Sequence, residues 1–376
     1  MRVALVYDRV NKIGGAERVL EALHEIFPDA PLYTAVYNPE TAPWATKFKV
    51  VPSFLQKFPF TKSRHEVFPY LMPMAFESFS SRGGPAFGGN FDEYDIVISV
   101  TSEAAKGILT KPKTLHLCYC LTPTRYLWSG YEDYFRTSVF KFFSSPLVAY
   151  LRHWDKIACQ RPDVYLAISA NVQKRIKEYY RRDSAVIYPP VDLEKWKTEN
   201  RRQKTENYFL VVSRLVSYKR VDLVIEAFNQ LGLPLKIVGK GIQEMMLKRM
   251  AKKNIEFLGQ LTDEQLLSYY QNCQALIFPQ EEDFGLVPLE AQACGKPVIA
   301  FGGGGALETI IEGKTGEFFY PQTSEALVKV IKSFKAARYQ PEACRQQAEK
   351  FGKEIFKKKF KEVVEKEWKK HQKISI

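Results

Sequence analysis

Two glutamates in one short stretch of the sequence have the types and spacing that could do chemistry. Glu282 and Glu290 lie eight positions apart, with Gly285 and a predicted helix start between them. This spacing places the first carboxylate in a loop after a strand and the second early on a helix, so both can face one ligand. A carboxylate accepts two or more hydrogen bonds and therefore suits the hydroxyl groups of a sugar. Acidic residues at such positions also cap helices, and this alternative stays open on the spacing alone.

Three glycine-containing loops follow predicted strands, at Gly14-Gly15, Gly239-Lys240-Gly241 and Gly302-Gly303-Gly304-Gly305. In a parallel sheet such loops lie at the carboxyl edge, where ligands bind. A helix that begins there presents unpaired backbone N–H groups to an anion. Each loop alone is equally typical of tight packing. Three of them together favour a phosphate-containing ligand.

The usual nucleotide and hydrolase motifs fail when they are compared with the sequence letter by letter. Glu244 stands where a dinucleotide fingerprint that begins at Gly239 needs its third glycine, and Glu308 stands where a P-loop that ends at Thr315 needs its first one. The sequence contains neither the GxSxG nor the HExxH pattern. These departures disfavour an NAD enzyme, an ATPase, a serine hydrolase and a zinc peptidase.

Strands and helices alternate along the chain, which predicts two α/β domains. Continuous apolar runs, typical of buried parallel strands, occur at 3–7, 95–100, 115–120 and 164–169 and again at 208–212, 235–238, 255–258, 275–278 and 298–300. Two prolines, Pro189 and Pro190, and a polar stretch over 195–207 separate the two series. We expect doubly wound, Rossmann-like domains at 1–195 and 196–350, facing a cleft. The apolar stripe of 351–376 predicts a helix that packs back on the first domain.

The positive charge is unevenly distributed along the chain. The net charge is +13, and the last 27 residues, with ten lysines and four glutamates, contribute +6 of it. An aromatic and basic stretch, Phe54 to Phe76, contains prolines that exclude one long amphipathic helix. A solvated surface is the default interpretation of such charges, and an anionic membrane surface is the next candidate. The glycine-rich segment 80–90 is predicted to be a mobile loop.

In addition to these patterns, the sequence as a whole resembles the retaining glycosyltransferases of family 4, which have the GT-B fold. Glu282-x7-Glu290, with Phe284-Gly285 and Pro288, is similar to the acidic motif of that family. Other landmarks agree in order and spacing: Gly14-Gly15-Ala16-Glu17, His116 before Tyr119, Tyr188-Pro189-Pro190-Val191-Asp192, Ser213-Arg214-Leu215 followed by Lys219, and Gly303 to Glu308. The stretch His116 to Cys120, with Pro123, Arg125, Tyr126 and Trp128, resembles the mannosyltransferase-type branch, which does not share segment 80–90.

The resemblance implies a role for each matching residue. Arg214 and Lys219 would bind the donor diphosphate, since charge-assisted contacts are the strong ones. Glu290 would hold the hydroxyl groups of the ribose. Glu282 and the backbone at 284–286 would hold the sugar. Gly15 would let the loop after the first strand of the first domain close over the phosphates. His116 would lie near the transferred sugar. The implied catalytic set is His116, Glu282, Arg214 and Lys219; the implied donor-binding set is Gly14, Gly15, Arg214, Lys219, Gly239, Gly259, Leu261, Glu282, Phe284, Gly285, Leu286, Val287 and Glu290.

The resemblance also implies a reaction with retention of anomeric configuration, by front-face displacement. No Asp-x-Asp pair is present, so we expect neither a metal nor another cofactor. GDP-mannose is the first candidate donor, and UDP-glucose or a UDP-hexosamine is the second. We expect the acceptor to be a glycan or a lipid-linked molecule of cell-envelope synthesis. The first residues are typical of a strand rather than a signal peptide, so we expect a cytoplasmic protein, peripheral at the inner membrane face.

Two other functions compete with this one. A nucleotide-sugar epimerase of similar architecture would bind the same donor and need no acceptor. A non-catalytic basic protein would use the +13 charge to bind a membrane or nucleic acid. The acidic motif together with Arg214 and Lys219 speaks against the second alternative, and we expect no nucleic-acid partner.

Overall fold

The computed structural model describes residues 1–12, 14–58, 61–64, 68–80, 91–134, 138–196 and 206–374. The chain divides into two compact units. Unit 1 comprises Met1–Pro189 and Phe356–Ile376, and unit 2 comprises Pro190–Ile355. The sequence placed the corresponding boundaries after residues 195 and 350. Residues 81–90 of the glycine-rich segment, predicted to be a mobile loop, lie outside the described residues.

Unit 1 contains a parallel sheet. Its described strands are β1 (Val3–Tyr7), β2 (Leu32–Thr34), β3 (Val50–Pro52), β4 (Ile96–Thr101), β5 (Leu115–Cys120), β6 (Val164–Ala167) and β7 (Ala185–Val186). They lie in the order β3-β2-β1-β4-β5-β6-β7, and every recorded pairing is parallel. The strand order reverses between β1 and β4, as in a Rossmann-like sheet. The loops after these two strands therefore flank the crevice where such sheets bind ligands.

Helices connect these strands. The described helices of unit 1 before its carboxyl-terminal segment are α1 (Gly15–Ile26), α2 (Thr61–Arg64), α3 (Met72–Glu77), α4 (Tyr131–Tyr134), α5 (Ser138–Ala158) and α6 (Ala170–Arg175). In α1, Val19, Leu20 and Leu23 are buried, and this spacing places them on one face of the helix. The aromatic and basic stretch is divided between α2, α3 and short 3₁₀ turns, so the prediction that it is not one long helix is confirmed.

Unit 2 repeats the topology. Its described strands are β8 (Phe209–Val212), β9 (Leu235–Val238), β10 (Ile255–Gly259), β11 (Leu276–Phe278), β12 (Val298–Phe301) and β13 (Gly316–Phe319). The order is β10-β9-β8-β11-β12-β13, with parallel pairings throughout. The order reverses between β8 and β11. The loops after β8 and β11 thus flank the crevice of unit 2.

The helices of unit 2 cover its sheet. They are α7 (Val221–Leu231), α8 (Glu244–Met250), α9 (Asp263–Asn272), α10 (Leu286–Ala293), α11 (Ala306–Thr309), α12 (Ser324–Ser333) and α13 (Pro341–Glu349). Leu223 and Phe228 of α7 and Leu327 of α12 pack in one apolar cluster with Val211 and Ile237 of the sheet. Both faces of central strands need such cover, which explains their continuous apolar sequences.

The last helix, α14 (Lys353–Ile374), begins at the end of unit 2 and lies mostly in unit 1. Phe356 and Phe360 are buried, and their ring centroids lie 5.9 and 5.7 Å from that of Tyr119 on β5. Lys357 adds an ion pair of 3.0 Å with Glu25 of α1. The apolar stripe of this helix therefore packs on the sheet of unit 1, while most of its lysines are exposed.

The sequence predicted the architecture, because the two parallel-sheet, Rossmann-like domains are both present. Four short strands, β2, β3, β7 and β13, were missed. β2, β3 and β7 have only two or three residues, and the sequence of β13, GEFF, contains a glycine and a glutamate, so none of the four stood out as a continuous apolar run. Among the described residues, no helix combines the length and apolar character that a membrane span requires.

Phe360→Ala is expected to lower the free energy of unfolding by about 3–5 kcal/mol, because a fully buried ring is removed from the contact between α14 and β5. Urea denaturation followed by circular dichroism measures the loss. Ile355→Ala is the control, since Ile355 lies on the same helix but is 39% exposed. Equal losses in both variants would show that α14 does not stabilise unit 1 through this ring.

Candidate functional site

The loops that follow β8 and β11 meet at an ion pair between Lys219 and Glu282. The Lys219 ammonium donates to Glu282 Oε1. Gln280 Nε2 donates to the same oxygen over 3.0 Å. The side chains of Lys219 and Glu282 are 10% and 25% exposed. The pair therefore lies half-sheltered in the crevice of unit 2, where the strand order reverses.

A second cation, Arg214, lies near the same cluster through Tyr218. Arg214 Nη2 donates to the Tyr218 hydroxyl, and its guanidinium carbon lies 5.9 Å from the ring centroid. Lys219 Nζ lies 5.2 Å from the centroid of the same ring. Because Arg214 is exposed, it is accessible to a ligand. One aromatic side chain therefore lies beside both cations that the sequence assigned to a diphosphate.

The glycines after β9 allow two loops of unit 2 to pack backbone against backbone. A Cβ at Gly239 would overlap the carbonyl oxygen of Ser213, and a Cβ at Gly241 would overlap that of Leu215. Gly239 also has a φ of 134°, and its N–H donates to Gly259 O over 2.7 Å. These contacts require glycine whether or not a ligand binds. The predicted donor contacts of Gly239, Gly259 and Leu261 stay predictions.

The glycine loop after β12 packs in the same way against the acidic loop after β11. A Cβ at Gly304 would overlap the carbonyl oxygen of Glu282, and a Cβ at Gly305 would overlap the backbone of Phe284. Gly305 N–H donates to Glu282 O over 2.8 Å. Gly285, with φ of 90°, is the N-cap of α10. Leu286 and Val287 are therefore the first residues of α10, at the carboxyl edge of the sheet, and their backbone N–H groups can bind an anion there.

Glu290 is held by a different partner. It is 4% exposed, and its Oε2 accepts a hydrogen bond of 3.0 Å from the hydroxyl of Tyr270 on α9. Tyr270 is fully buried and packs edge-on against Trp196, with ring centroids 5.4 Å apart. Tyr270 therefore orients Glu290. The structure brings Lys219 and Glu282 into contact, whereas the ribose contact of Glu290 stays a prediction.

In unit 1, Gly14 is the N-cap of α1 and Gly15 is its first residue. A Cβ at Gly14 would lie 3.0 Å from Glu17 Oε2, while Glu17 Oε1 accepts a hydrogen bond from Tyr7. Burial raises the pKa of Glu17. These contacts account for a small residue at position 14. The predicted contact of Gly14 and Gly15 with phosphate stays a prediction.

The carboxyl edge of the unit 1 sheet holds a buried carboxylate that the sequence analysis missed. Asp8, directly after β1, accepts hydrogen bonds from the backbone N–H groups of Ser102, Glu103, Ala104 and Ala105 and from Thr101 Oγ1, over 2.7–3.0 Å. Burial raises the pKa of Asp8, and hydrogen bonds from Ser102 and Ala105 oppose the rise. Its position directly after an apolar strand is the signal that could have revealed it.

His116 does not lie where the sequence placed it. It is the second residue of β5 and thus lies near the amino end, opposite the ligand-binding edge. Its side chain has no exposed area, and its Nε2 lies 2.8 Å from Ser99 Oγ on β4. Burial and the charges of Arg161 and Arg182 lower its pKa to about 3. The assignment of His116 to the sugar site is therefore wrong in this structure, because the imidazole packs between strands.

Gln280, Tyr218 and Tyr270 are site residues that sequence reasoning missed. Gln280 lies two positions after β11 and two before Glu282, and Tyr218 directly precedes Lys219. Their position beside residues that were predicted to bind the ligand was the available signal. Tyr270 carried no such signal, because it reaches Glu290 from another helix. Within the part of the chain that the structure describes, no group of three or more His, Cys, Asp and Glu could hold a metal ion. Independence from metal stays a prediction.

The burial of His116 makes stability depend on pH. Its folded pKa of about 3 lies below the ordinary value of 6.5, so the unfolded chain binds more protons between these values and stability falls on acidification. We expect His116 to remove about 2 kcal/mol of unfolding free energy between pH 7 and pH 5. His116→Gln should reduce this pH dependence in urea denaturation, whereas the control His153→Gln, at an exposed position, should not. If the unfolding free energy of His116→Gln depended on pH as strongly as that of the wild type, buried His116 would not be the cause of that dependence.

The comparisons with known proteins lead to one class of enzyme. Residues 192–351 match the family described as Glycosyl transferases group 1. An uncharacterized glycosyltransferase of Methanocaldococcus jannaschii is 31% identical over 170 residues, 44% of this chain and 47% of the relative. A GDP-mannose-dependent monoacylated alpha-(1-6)-phosphatidylinositol monomannoside mannosyltransferase of Corynebacterium glutamicum is 38% identical over 114 residues, 26% and 30% of the two chains. The chain thus spans less than half the length of each relative.

A solved structure covers nearly the whole chain. Anabaena HepE in complex with UDP has a TM-score of 0.71 at 18% identity and covers 97% of this chain and 100% of its own. Two parallel-sheet, Rossmann-like domains and this likeness show the GT-B fold. The sequence likeness of residues 192–351 is to glycosyltransferases, and the likeness of the whole chain to the HepE structure shows the fold alone.

Proposed function

We propose that this protein is a retaining glycosyltransferase that transfers a hexose from a nucleotide diphosphate sugar. The observation that carries the proposal is the cluster in the crevice of unit 2. There Lys219 and Arg214 lie beside one tyrosine ring, and Glu282 lies in contact with Lys219. Cations suit a departing diphosphate, and a carboxylate suits sugar hydroxyl groups. A purely basic binding surface does not need this combination, whereas a nucleotide-sugar epimerase would bind the same donor and differs in needing no acceptor.

Each predicted donor contact has a physical reason in unit 2. Arg214 and Lys219 stabilise the charge that develops on the diphosphate as the glycosidic bond breaks. Glu282 and the first N–H groups of α10 hold the sugar and its phosphate. Glu290, oriented by Tyr270, binds the ribose hydroxyl groups. We assign the chemistry to Arg214, Lys219 and Glu282, and no longer to His116.

The identity of the donor rests on resemblance. GDP-mannose is the first choice, supported by the mannosyltransferase-like stretch after residue 116 and by the name of the relative from Corynebacterium glutamicum. UDP-glucose or a UDP-hexosamine is the second choice, supported by the UDP in the HepE structure. We propose a front-face displacement, with the departing phosphate helping to deprotonate the acceptor, and no metal or other cofactor.

We propose that unit 1 binds the acceptor, a glycan or a lipid-linked sugar of cell-envelope synthesis. Apolar side chains on the aromatic and basic stretch support a lipid surface as a further partner. Phe58, Tyr70 and Met74 are 45%, 44% and 54% exposed, and Lys57 and Lys62 lie in the same stretch. Aromatic residues beside lysines are typical of proteins that lie on anionic membranes.

The donor proposal is tested by calorimetric titration with GDP, UDP, GDP-mannose, UDP-glucose and UDP-N-acetylglucosamine. We expect the wild type to bind one nucleotide series. Lys219→Met should weaken that binding by about 2 kcal/mol, because a charge-assisted contact to the diphosphate is lost. Lys332→Met is the matched control, since this exposed lysine lies near the carboxyl end of α12, at the opposite edge of the sheet. If folded wild-type protein binds none of these nucleotides, the proposed function is overturned.

The membrane proposal is tested by flotation with vesicles. The wild type should float with vesicles that contain phosphatidylglycerol more than with phosphatidylcholine vesicles, and salt should reduce the difference. Phe58→Ser combined with Met74→Ser should reduce flotation. Met245→Ser, which removes a 73% exposed methionine of unit 2, is the control. Equal flotation of all three proteins would remove this surface from the proposal.

A further inference from the structure

The ion pair in the crevice of unit 2 joins two groups that the proposed function assigns to different parts of the donor. Lys219 is assigned to the diphosphate and Glu282 to the sugar. Without a ligand they contact each other, and Glu282 Oε1 also accepts the hydrogen bond from Gln280. Lys219 is 8% exposed as a residue and needs a counter-charge when it is sheltered from water. Glu282 supplies that charge.

Gln280 is the second observation. It is 1% exposed, and its Oε1 is a buried oxygen that has no hydrogen-bond partner in the described part of the chain. A buried, unsatisfied polar atom is unfavourable and calls for an explanation. The Nε2 group of the same amide donates to Glu282. Holding this carboxylate at a defined position explains why an amide is present where an apolar side chain would pack without an unsatisfied atom.

We propose, on the basis of the proposed function, that Glu282 is an internal anion that occupies Lys219 until the donor diphosphate displaces it. Gln280 is the positioning residue that keeps the displaced carboxylate within reach of the sugar hydroxyl groups. The diphosphate carries more negative charge than a carboxylate, so it competes for the ammonium. The displaced Glu282 then gains new hydrogen bonds from the sugar.

This exchange distinguishes the donor from the product. A sugar nucleotide displaces Glu282 and offers it hydroxyl groups in return. A nucleoside diphosphate without sugar displaces it and offers nothing, so repulsion between Glu282 and the diphosphate is not offset. After transfer, Glu282 competes with the product for Lys219. The internal anion therefore favours binding of the intact donor and release of the spent nucleotide.

The test compares Glu282→Gln with Glu281→Gln in calorimetric titrations with UDP and GDP and with their sugar conjugates. Both substitutions remove one negative charge from the same loop, but only Glu282 contacts Lys219. We expect Glu282→Gln to bind the free nucleoside diphosphate about fivefold more tightly than the wild type, the size of a partly sheltered ion pair. The affinity of Glu282→Gln for the sugar conjugate should not increase, so its preference for the conjugate over the free nucleoside diphosphate should fall. Glu281→Gln should leave that preference unchanged.

Gln280→Leu tests the positioning role. It should leave the affinity for free nucleoside diphosphate within about twofold of the wild type, because no group that binds phosphate is removed. The affinity for the sugar conjugate should fall, which a general loss of stability would not produce selectively. Circular dichroism melting confirms that each variant is folded.

The outcomes separate the two proposals. If no nucleotide binds to folded wild-type protein, the proposed function fails. If nucleotides bind, but Glu282→Gln binds UDP or GDP no more tightly than Glu281→Gln does, the internal-anion proposal is overturned and the proposed function stands. An unchanged preference for the conjugate in Gln280→Leu overturns the role of Gln280.

Discussion

Close contact between loop backbones at the carboxyl edge of the unit 2 sheet is the constraint on which the site depends. Gly305 donates its N–H to Glu282 O and packs so closely on Phe284 that a Cβ would overlap it. Gly239 packs equally closely on Ser213. These contacts join the loops after β12 and β11 and the loops after β9 and β8. Charged side chains on free loops would vary in position, whereas here Lys219 and Glu282 project from loops fixed to their neighbours.

The two units use the corresponding edge of the same topology in opposite ways. In unit 1 the backbone N–H groups that follow β4 are taken by the carboxylate of Asp8. The chain therefore fills that anion-binding position with its own side chain. In unit 2 the loop after β8 supplies two cations, Arg214 and Lys219, and α10 begins after β11. Unit 2 therefore offers an external anion two cations beside the N-terminus of a helix. This difference is a physical reason to place the donor in unit 2 that does not depend on resemblance.

How much the sequence predicts depends on the range of each interaction. Continuous apolar runs such as Leu115–Cys120 predicted the central strands, since burial of both strand faces is a local property of the sequence. The approach of Lys219 to Glu282 across 63 positions needs the strand order, which a single sequence does not show. The only sequence signal for Tyr218 and Gln280 is their position beside residues that were predicted to bind the ligand, and Tyr270 carries no such signal. His116 was assigned to the sugar site because of its neighbours in the sequence, but it lies near the amino end of β5, opposite the edge of the sheet where ligands bind.

The geometry of Glu282 also bears on how configuration would be retained. A carboxylate that forms a covalent intermediate attacks the sugar from the face opposite the leaving group. Glu282 instead contacts the ammonium that the proposed function assigns to the leaving diphosphate. When the donor displaces Glu282 from Lys219, Gln280 still holds the carboxylate, and a group held on the leaving-group side cannot reach the opposite face without breaking that contact. In the proposed reaction, Glu282 therefore acts by holding hydroxyl groups, and displacement on the face that the diphosphate leaves is the route that the arrangement of unit 2 favours.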